Sequence, residues 1–299
     1  MSASSALATA VSVGRLHIVA IAALGTLTFG WLFTGNYLWA LVAICAVDWF
    51  VVNLLNRVVD LEEDQANQIR GTAFVARHRR AIFGAGLGLL IGSIALTHWL
   101  EPNLTPLRLS YHLLGFAYNW PIIPGVGRIK QRYFWKNTAS AAGFMITVFG
   151  YPLATIGWGL DTSRFASGIS LSTVLFAGLF FFLFELSYEV IYDLRDAKGD
   201  ALAGVRTYPV VHGEQTALKI IDALLLASSA ILLAGYILGY VPWRMVVMLL
   251  APLLQVILYK RAHRRGLTSR DCIQLTWLGA GLLIGYHLWI VAGLPGVDA

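Results

Sequence analysis

The 299-residue sequence is 58% hydrophobic and 13% charged, and its mean hydropathy is +0.68. Soluble globular chains carry about 25% charged residues, so the composition excludes a soluble domain and describes a chain that crosses a membrane repeatedly. The net charge of +6 comes with no RNA-binding signature and no interleaving of aromatic and basic residues, so there is no reason to expect nucleic acid; no protein partner is implied.

Apolar windows of about 20 residues, long enough to span a bilayer as helix, fall at 14–34, 38–56, 81–100, 107–124, 137–157, 168–192, 216–238, 243–259 and 272–293. They predict an all-α, polytopic membrane protein, one domain over 1–299 with nine transmembrane helices around a central chamber. The first window has no basic segment ahead of its apolar core, since Arg15 is the first charge. A retained helix is therefore expected, not a cleaved secretory signal. Cys45 lies in the second window and Cys272 opens the last; two such cysteines form neither a disulfide framework nor a zinc pattern and read as packing residues.

The second window runs into NRVVDLEED, residues 56–64. Asn56, Asp60 and Asp64 are spaced i, i+4, i+8, so a helix continuing past the bilayer edge sets three oxygen-bearing side chains on one face within about 12 Å of axis. The sixth window closes in YDLRDAKGD, where Asp193, Asp196 and Asp200 again share a face. The clusters are related, because Asp60 and Asp196, Asp64 and Asp200, and Arg70 and Arg206 are each 136 residues apart, as are Arg128 and Arg264. That offset covers four predicted helices, an even number, which makes the two copies a parallel internal repeat.

Lys and Arg in short loops set the orientation. With nine helices and a cytoplasmic N-terminus, the loops at 57–80, 125–136, 193–215 and 260–271 lie inside with the chain start. That side collects 19 of the 22 basic residues, leaving Arg108, Arg164 and Arg244 for the opposite face, where the C-terminus falls. The expected location is the cell or inner membrane with the acid-bearing loops cytoplasmic.

Two carboxylate sets ringed by Lys and Arg at a membrane surface suit a hard divalent cation. Mg²⁺ is held by one or two carboxylates plus waters and substrate phosphates, and neighbouring Lys and Arg suit the remaining phosphate oxygens. The ligand so described is a phosphate or diphosphate whose other end is at home in lipid, such as a prenyl diphosphate.

NRVVDLEED resembles the Asn-x-x-x-Asp-x-x-x-Asp motif, and DLRDAKGD the Asp-x-x-x-Asp motif, of the UbiA superfamily of intramembrane aromatic prenyltransferases. DQANQIRGT, YNWP with RIKQRYFWKN, and GVRTYPVVHGEQTA are similar to that family's cytoplasmic segments, so the likeness runs over nearly the whole chain. Many members have Asn-Asp where this chain has Asn56-Arg57, which reads as a subgroup marker. The resemblance implies Mg²⁺-dependent transfer of a prenyl group from a prenyl diphosphate to a lipophilic acceptor by way of an allyl cation. It implies Asn56, Asp60 and Asp64 on one half, with Asp196 and Asp200 on the other, as holders of Mg²⁺ bridging the diphosphate; Asp193 is a further candidate on the second face. Lys130, Arg128, Lys136, Lys198, Arg70 and Arg206 are candidate diphosphate contacts, against the alternative that each only obeys the loop-charge rule. The acceptor stays open among hydroxybenzoates, naphthoates, other quinone precursors and lipid-like alcohols.

Three acids lie deeper. Asp48 is two turns before Asn56, and Glu185 and Glu189 are two turns and one turn before Asp193, about 6–12 Å further in by helical rise. Groups at such depth normally face a bundle interior or a cavity. Either they floor the chamber, where they stabilise a cation, bind an acceptor hydroxyl or take the proton lost on transfer, or they make interhelical hydrogen bonds to Ser, Tyr or His. Tyr188 and Tyr192, with Tyr118, Trp120 and Tyr133, are candidates to shield a cation or to form an interfacial belt. Arg15 and His17 are candidates for an acceptor carboxylate or hydroxyl; His98, His112 and His287 read as polar packing.

The same residues bear on other classes. A terpene cyclase would use the same ionising site, and the acids at depth and the repeat would also suit a transporter, although the densest acids sit at helix ends on one surface. A CDP-alcohol phosphotransferase requires Asp-Gly-x-x-Ala-Arg before its acids, a run this chain lacks.

Overall fold

The computed structural model describes residues 3–66, 69–122, 124–125, 127–159, 162–293 and 295, and among them the chain is helical with no strand. Helices α1 (Ala3–Val13), α2 (Leu16–Thr34) and α3 (Trp39–Val59) lead to a short α4 (Leu61–Ala66), then α5 (Thr72–Leu100) and α6 (Thr105–Asn119). Helix α7 (Trp135–Phe144) continues through a π-wound segment, Met145–Gly150, into α8 (Tyr151–Thr155). The remainder is α9 (Leu171–Leu202), α10 (Tyr208–His212), α11 (Glu214–Ile237), α12 (Trp243–Val246), α13 (Leu250–Arg264) and α14 (Ser269–Val291).

Among the described residues seven runs are long and apolar enough to cross a membrane: α2, α3, α5, α9, α11, α12 through α13, and α14. The expectation of nine exceeds this by the windows at 107–124 and 137–157. The first folds as α6, 15 residues long, and its backbone turns extended at Trp120 (φ −122, ψ 149), as a residue preceding a proline prefers. In the second, Pro152 has no N–H to give to the helical ladder, and the winding widens over Met145–Gly150 ahead of it.

An aromatic core lies where α2, α3, α7, α8 and α9 meet. Phe29 packs on Phe149 with ring centroids 4.3 Å apart, and Trp49 packs on Phe144 at 4.1 Å. A second core joins α9 to α11, α13 and α14 through Val190, Ile191, Ile221, Leu225, Tyr259 and Leu275. Cys45 and Cys272 are buried free thiols in these two cores, as packing residues should be. The outer surface is apolar: Leu226, Ile237 and Val291 are exposed, which only a lipid surround makes tolerable for a patch of this extent. Trp39, Trp99, Trp158 and Trp243 are exposed at helix ends remote from the acids, the usual place of an interfacial belt.

Helix α9 has 32 residues, roughly 48 Å of axis against a hydrocarbon core of about 30 Å. Its last turns, which carry Asp193, Asp196 and Asp200, therefore stand beyond the apolar slab, on the side where α9 packs against α4.

Candidate active site

The first acid set does not ride on one straight helix. Helix α3 ends at Val59, and Asp60 leaves helical geometry (φ −91, ψ 25) before α4 begins. The ladder nevertheless persists, since the Asp60 N–H donates to the Asn56 carbonyl at 2.9 Å and the Asp64 N–H to the Asp60 carbonyl at 2.8 Å. The three side chains thus keep their common face across the bend, and all are buried.

Each acid is met by a cation. Lys130 pairs with Asp60 and, at 2.5 Å, with Glu63; Arg128 reaches Glu63 at 3.1 Å and Asp60 at 3.7 Å. Arg57 pairs with Asp64 at 2.5 Å, and Arg15 lies 3.8 Å from the same carboxylate. With its amide oriented to satisfy its neighbours, Asn56 donates to Asn119 at 2.5 Å and to Asp60 at 2.6 Å and accepts from Arg15 at 3.0 Å. Burial pushes the Asp60 carboxyl above its ordinary value despite the Lys130 ammonium. Burial works the same way on Glu63, but there Lys130 and Arg128 together outweigh it and hold the carboxyl below its ordinary value.

On α9, Lys136 bridges Asp193 at 2.7 Å and Asp200 at 3.0 Å, and the Asn137 amide donates to Asp193 at 2.8 Å. Asp196 pairs with its neighbour Arg195, whose guanidinium lies over the Tyr192 ring at 4.6 Å. The connection after α6 therefore delivers Lys130 to one acid set, and the first turn of α7, which follows it, delivers Lys136 to the other. Such charge-assisted contacts are the strong ones, and here they tie the two halves of the molecule together at one face.

Both sets open onto a single cavity of about 780 Å³. Asn56, Asp60, Asp64, Arg70, Lys130, Asp193, Asp196 and Asp200 line its mouth, and Phe29, Phe144, Phe180, Phe181, Phe184 and Tyr118 line the chamber below. Glu185 and Glu189 lie on the chamber wall. Glu189 accepts from the Ser140 hydroxyl at 2.7 Å, whereas Glu185 has no hydrogen-bond partner among the described residues. The rings of Tyr188 and Tyr192 line the same wall, with their hydroxyls tied to α14 through the Leu275 carbonyl and Thr276.

Three expected contacts lie elsewhere. Lys198 is exposed on α9 and outside the cavity, because the face it takes is opposite to that of its acidic neighbours. Arg206, the repeat mate of Arg70, is exposed over a separate shallow pocket with Gln131, Arg132 and Tyr133; the turn after α9 carries it away from the mouth. Arg128 flanks the mouth through Asp60 and Glu63 without lining the chamber. Arg108, assigned by loop counting to the far surface, is fully buried and donates to Asp48, which also accepts from His112 at 2.9 Å and Tyr151 at 2.6 Å. Asp48 therefore takes the interhelical role and lines no part of the chamber.

The description "UbiA prenyltransferase family" matches residues 6–276. The chain belongs to that family. Its UbiA-type fold is shared by a UbiA homologue from Archaeoglobus fulgidus bound to DMAPP and Mg²⁺, with a TM-score of 0.69 at 14% identity over 95% of this chain and 99% of that one. A digeranylgeranylglyceryl phosphate synthase from Pyrococcus furiosus is 31% identical over 199 residues, 64% of this chain and 63% of the relative. One of the same name from Methanopyrus kandleri is 36% identical over 77 residues, 26% and 28% of the two chains. The chain thus spans less than two thirds of the curated relatives it matches.

Within this UbiA frame, several mouth residues are ones the sequence reading did not single out. Arg57 looks like a motif variant, yet it is 1% exposed and also donates to the carbonyls of Ser12 and Arg70 at 3.0 and 3.1 Å, strapping α1 and the α4–α5 turn over the mouth. Gly71 makes this closure possible: it has φ +91, and a Cβ there would lie 2.6 Å from Val13 of α1. Glu63, not among the expected site residues, could have been found, being three residues from Asp60 and so on nearly the same face. Asn137 and Ser140 could not, because their partners lie 56 and 49 residues away.

Proposed function

We propose that this chain transfers a prenyl group, within the membrane, from a prenyl diphosphate to a lipophilic acceptor, with Mg²⁺ held at the cavity mouth. One observation carries the reading: two sets of acids, from α3–α4 and α9, rim a single aromatic chamber, and one short segment supplies a lysine to each. The names and ligands of the relatives support it: synthases of digeranylgeranylglyceryl phosphate and a homologue bound to DMAPP and Mg²⁺.

The donors fit a hard cation. Asp60, Asp64, Asp193, Asp196, Asp200 and the Asn56 carbonyl offer oxygen alone. Among the described residues no three His, Cys, Asp or Glu converge as a ready-made metal centre, and Mg²⁺ needs none, since waters and substrate phosphates complete its shell. When bound, it supplies neutralisation of the charge growing on the leaving diphosphate.

The chain's own groups do the rest. Lys130, Lys136, Arg128 and Arg70 offer N–H donors to the phosphate oxygens; Lys198 and Arg206 take no part. Phe180, Phe181, Phe184, Tyr188 and Tyr192 line the chamber, where they keep out water that would quench the allyl cation and offer aromatic rings to stabilise it. A carboxylate oxygen of Glu189 or Glu185 takes the proton that the acceptor gives up as its new bond to the prenyl carbon forms. A lipid-like alcohol is favoured over a quinone precursor as acceptor, because the relatives are named for a glyceryl phosphate product. The basic loops set the mouth and the N-terminus on the cytoplasmic side, with the end of α14 opposite.

Purified protein with Mg²⁺ is expected to release diphosphate from an allylic prenyl diphosphate, and Asp60→Ala or Asp196→Ala to abolish release. Cyclic hydrocarbon formed without acceptor would move the assignment to a cyclase. Folded wild-type protein that leaves geranyl, farnesyl and geranylgeranyl diphosphates intact would refute both.

A further inference from the structure

The cavity does not end at the aromatic chamber. Ser269 and Trp289 both line it, and they stand 20 residues apart on α14, about 30 Å of axis, which is the thickness of the hydrocarbon core. It therefore runs from the acid mouth to the other end of the bundle, where Val247, Met248 and Tyr286 line it beside Trp289. The groups assigned to the transfer all lie toward the mouth, and the far end carries polar groups which that reaction does not use.

Two donors there are unpaired. The Tyr286 hydroxyl is buried without a partner in a residue that is 7% exposed, and the Arg244 Nε–H on α12 is likewise buried and unpaired. Both belong to one cluster: the Arg244 guanidinium lies 5.8 Å from the Trp31 ring centroid, and the Tyr286 ring meets the same indole edge-on at 6.3 Å. Arg244 is half-buried, its Nη2 donates to the Ser167 carbonyl at 3.0 Å, and among the described residues no carboxylate pairs with it. Arg108, which loop counting sent to the same end, has Asp48. A guanidinium gives hydrogen bonds and accepts none, so what completes this cluster is an acceptor, and the uncompensated charge makes it an anion.

The setting decides which anion. Tyr240 and Trp243 are exposed beside Arg244, as in an interfacial belt, which is the level of lipid headgroups. Below them Gly281 and Gly285, two turns and one turn before Trp289, line the cavity, are exposed, and have open space where a side chain would stand. That leaves an apolar slot under the donors.

The geometry points to a phospholipid site at this end of the bundle. The phosphate of a glycerophospholipid, in the leaflet opposite the acid mouth, accepts from Arg244 and Tyr286, and one of its acyl chains lies in the slot along Gly281 and Gly285. Guanidinium forks match phosphate oxygens, and an acyl chain there closes the far end of the chamber to water. The site goes beyond the proposed prenyl transfer and does not depend on it.

Lipid binding tests it without turnover. Full-length protein stripped of lipid in dodecyl maltoside is titrated with dioleoylphosphatidylglycerol, with dioleoylglycerol, which has the chains and no phosphate, and with inorganic phosphate. Bound lipid is counted by native mass spectrometry, and the unfolding midpoint is followed alongside. The phospholipid is expected to bind about tenfold more tightly than dioleoylglycerol, as charge-assisted hydrogen bonds warrant, and to raise the midpoint, since a ligand of the folded state stabilises it. Arg244→Gln is expected to remove most of that preference, and Arg244→Lys, which keeps the charge and loses the fork, to keep part of it. Tyr286→Phe should lower the preference about threefold and leave the lipid-free midpoint at or above that of the wild type, because it deletes an unpaired buried hydroxyl. Lys130→Gln, at the mouth, keeps the preference within about threefold of wild type. Should Arg244→Gln not fold, Arg244→Lys and Tyr286→Phe carry the test. Equal binding of dioleoylglycerol, a preference unchanged in the Arg244 and Tyr286 variants, or an equal loss in Lys130→Gln would overturn the site. Inorganic phosphate that displaces the phospholipid would make it a site for the free ion and overturn the lipid assignment.

Discussion

Asp48 on α3 and Glu185 on α9 are 137 residues apart, within one residue of the internal offset, and both are buried at depth. Their surroundings are opposite. Asp48 is enclosed by Arg108, His112 and Tyr151, and Arg108 in turn donates to Ser93 and Thr97. Glu185 faces the chamber and has no hydrogen-bond partner among the described residues. Depth alone therefore does not tell a structural acid from a reactive one; the partners supplied by neighbouring helices do. In one half α5, α6 and α8 close over the acid, and in the other the corresponding space is left as cavity.

The largest effect expected from breaking this comparison is on stability. Asp48→Leu leaves the Arg108 guanidinium buried without its counter-ion, a change that costs about 3–5 kcal/mol, visible as a lower unfolding midpoint in detergent. Adding Arg108→Met should restore more than half of that loss, because removing both charges is close to neutral. Glu185→Gln should move the midpoint by less than about 1 kcal/mol. A destabilisation by Glu185→Gln as large as that by Asp48→Leu would erase the distinction.

A smaller effect sharpens the reactive side. On the proposed reaction, Glu189→Gln should slow transfer by about 10²-fold with the protein fully folded, and unchanged turnover in both Glu189→Gln and Glu185→Gln would remove these acids from the chemistry. Lys136→Gln deletes a contact to both Asp193 and Asp200 and should weaken Mg²⁺-dependent prenyl diphosphate binding by roughly 10–100-fold; retained affinity in a titration would mean that its ammonium serves only to join α7 to α9. Ser140→Ala is expected to have the smallest consequence, about 1 kcal/mol on the barrier through loss of its hydrogen bond to Glu189. Comparison with Glu189→Gln in the same assay checks that ranking.

The all-helical membrane fold was legible because long apolar runs have few alternatives in lipid. The acids of both motifs were legible for a different reason: their spacing puts them on one face, and the bend at Asp60 preserves that face through two backbone hydrogen bonds. What could not be read were the pairings. Loop counting sent Arg108 to the far surface, although α6 is short and buries it against Asp48. Repeat symmetry promoted Arg206 with Arg70, but the turn after α9 does not reproduce the α4–α5 turn. Arg57 gave no hint that its guanidinium would strap α1 over the mouth, because Ser12 lies 45 residues away. Side chains meeting across helices are decided by tertiary approach, which no local pattern records.

The central claim is that the two acid sets ionise a prenyl diphosphate over a chamber in which an acceptor captures the cation. It is tested most directly by incubating the protein, in nanodiscs with Mg²⁺, with geranyl, farnesyl or geranylgeranyl diphosphate and a panel of lipid alcohols and aromatic acceptors, and reading products by mass spectrometry. A prenylated acceptor, absent with Asp60→Ala and without Mg²⁺, is the predicted result. Recovery of every substrate intact from protein whose cooperative unfolding proves it native would contradict the account.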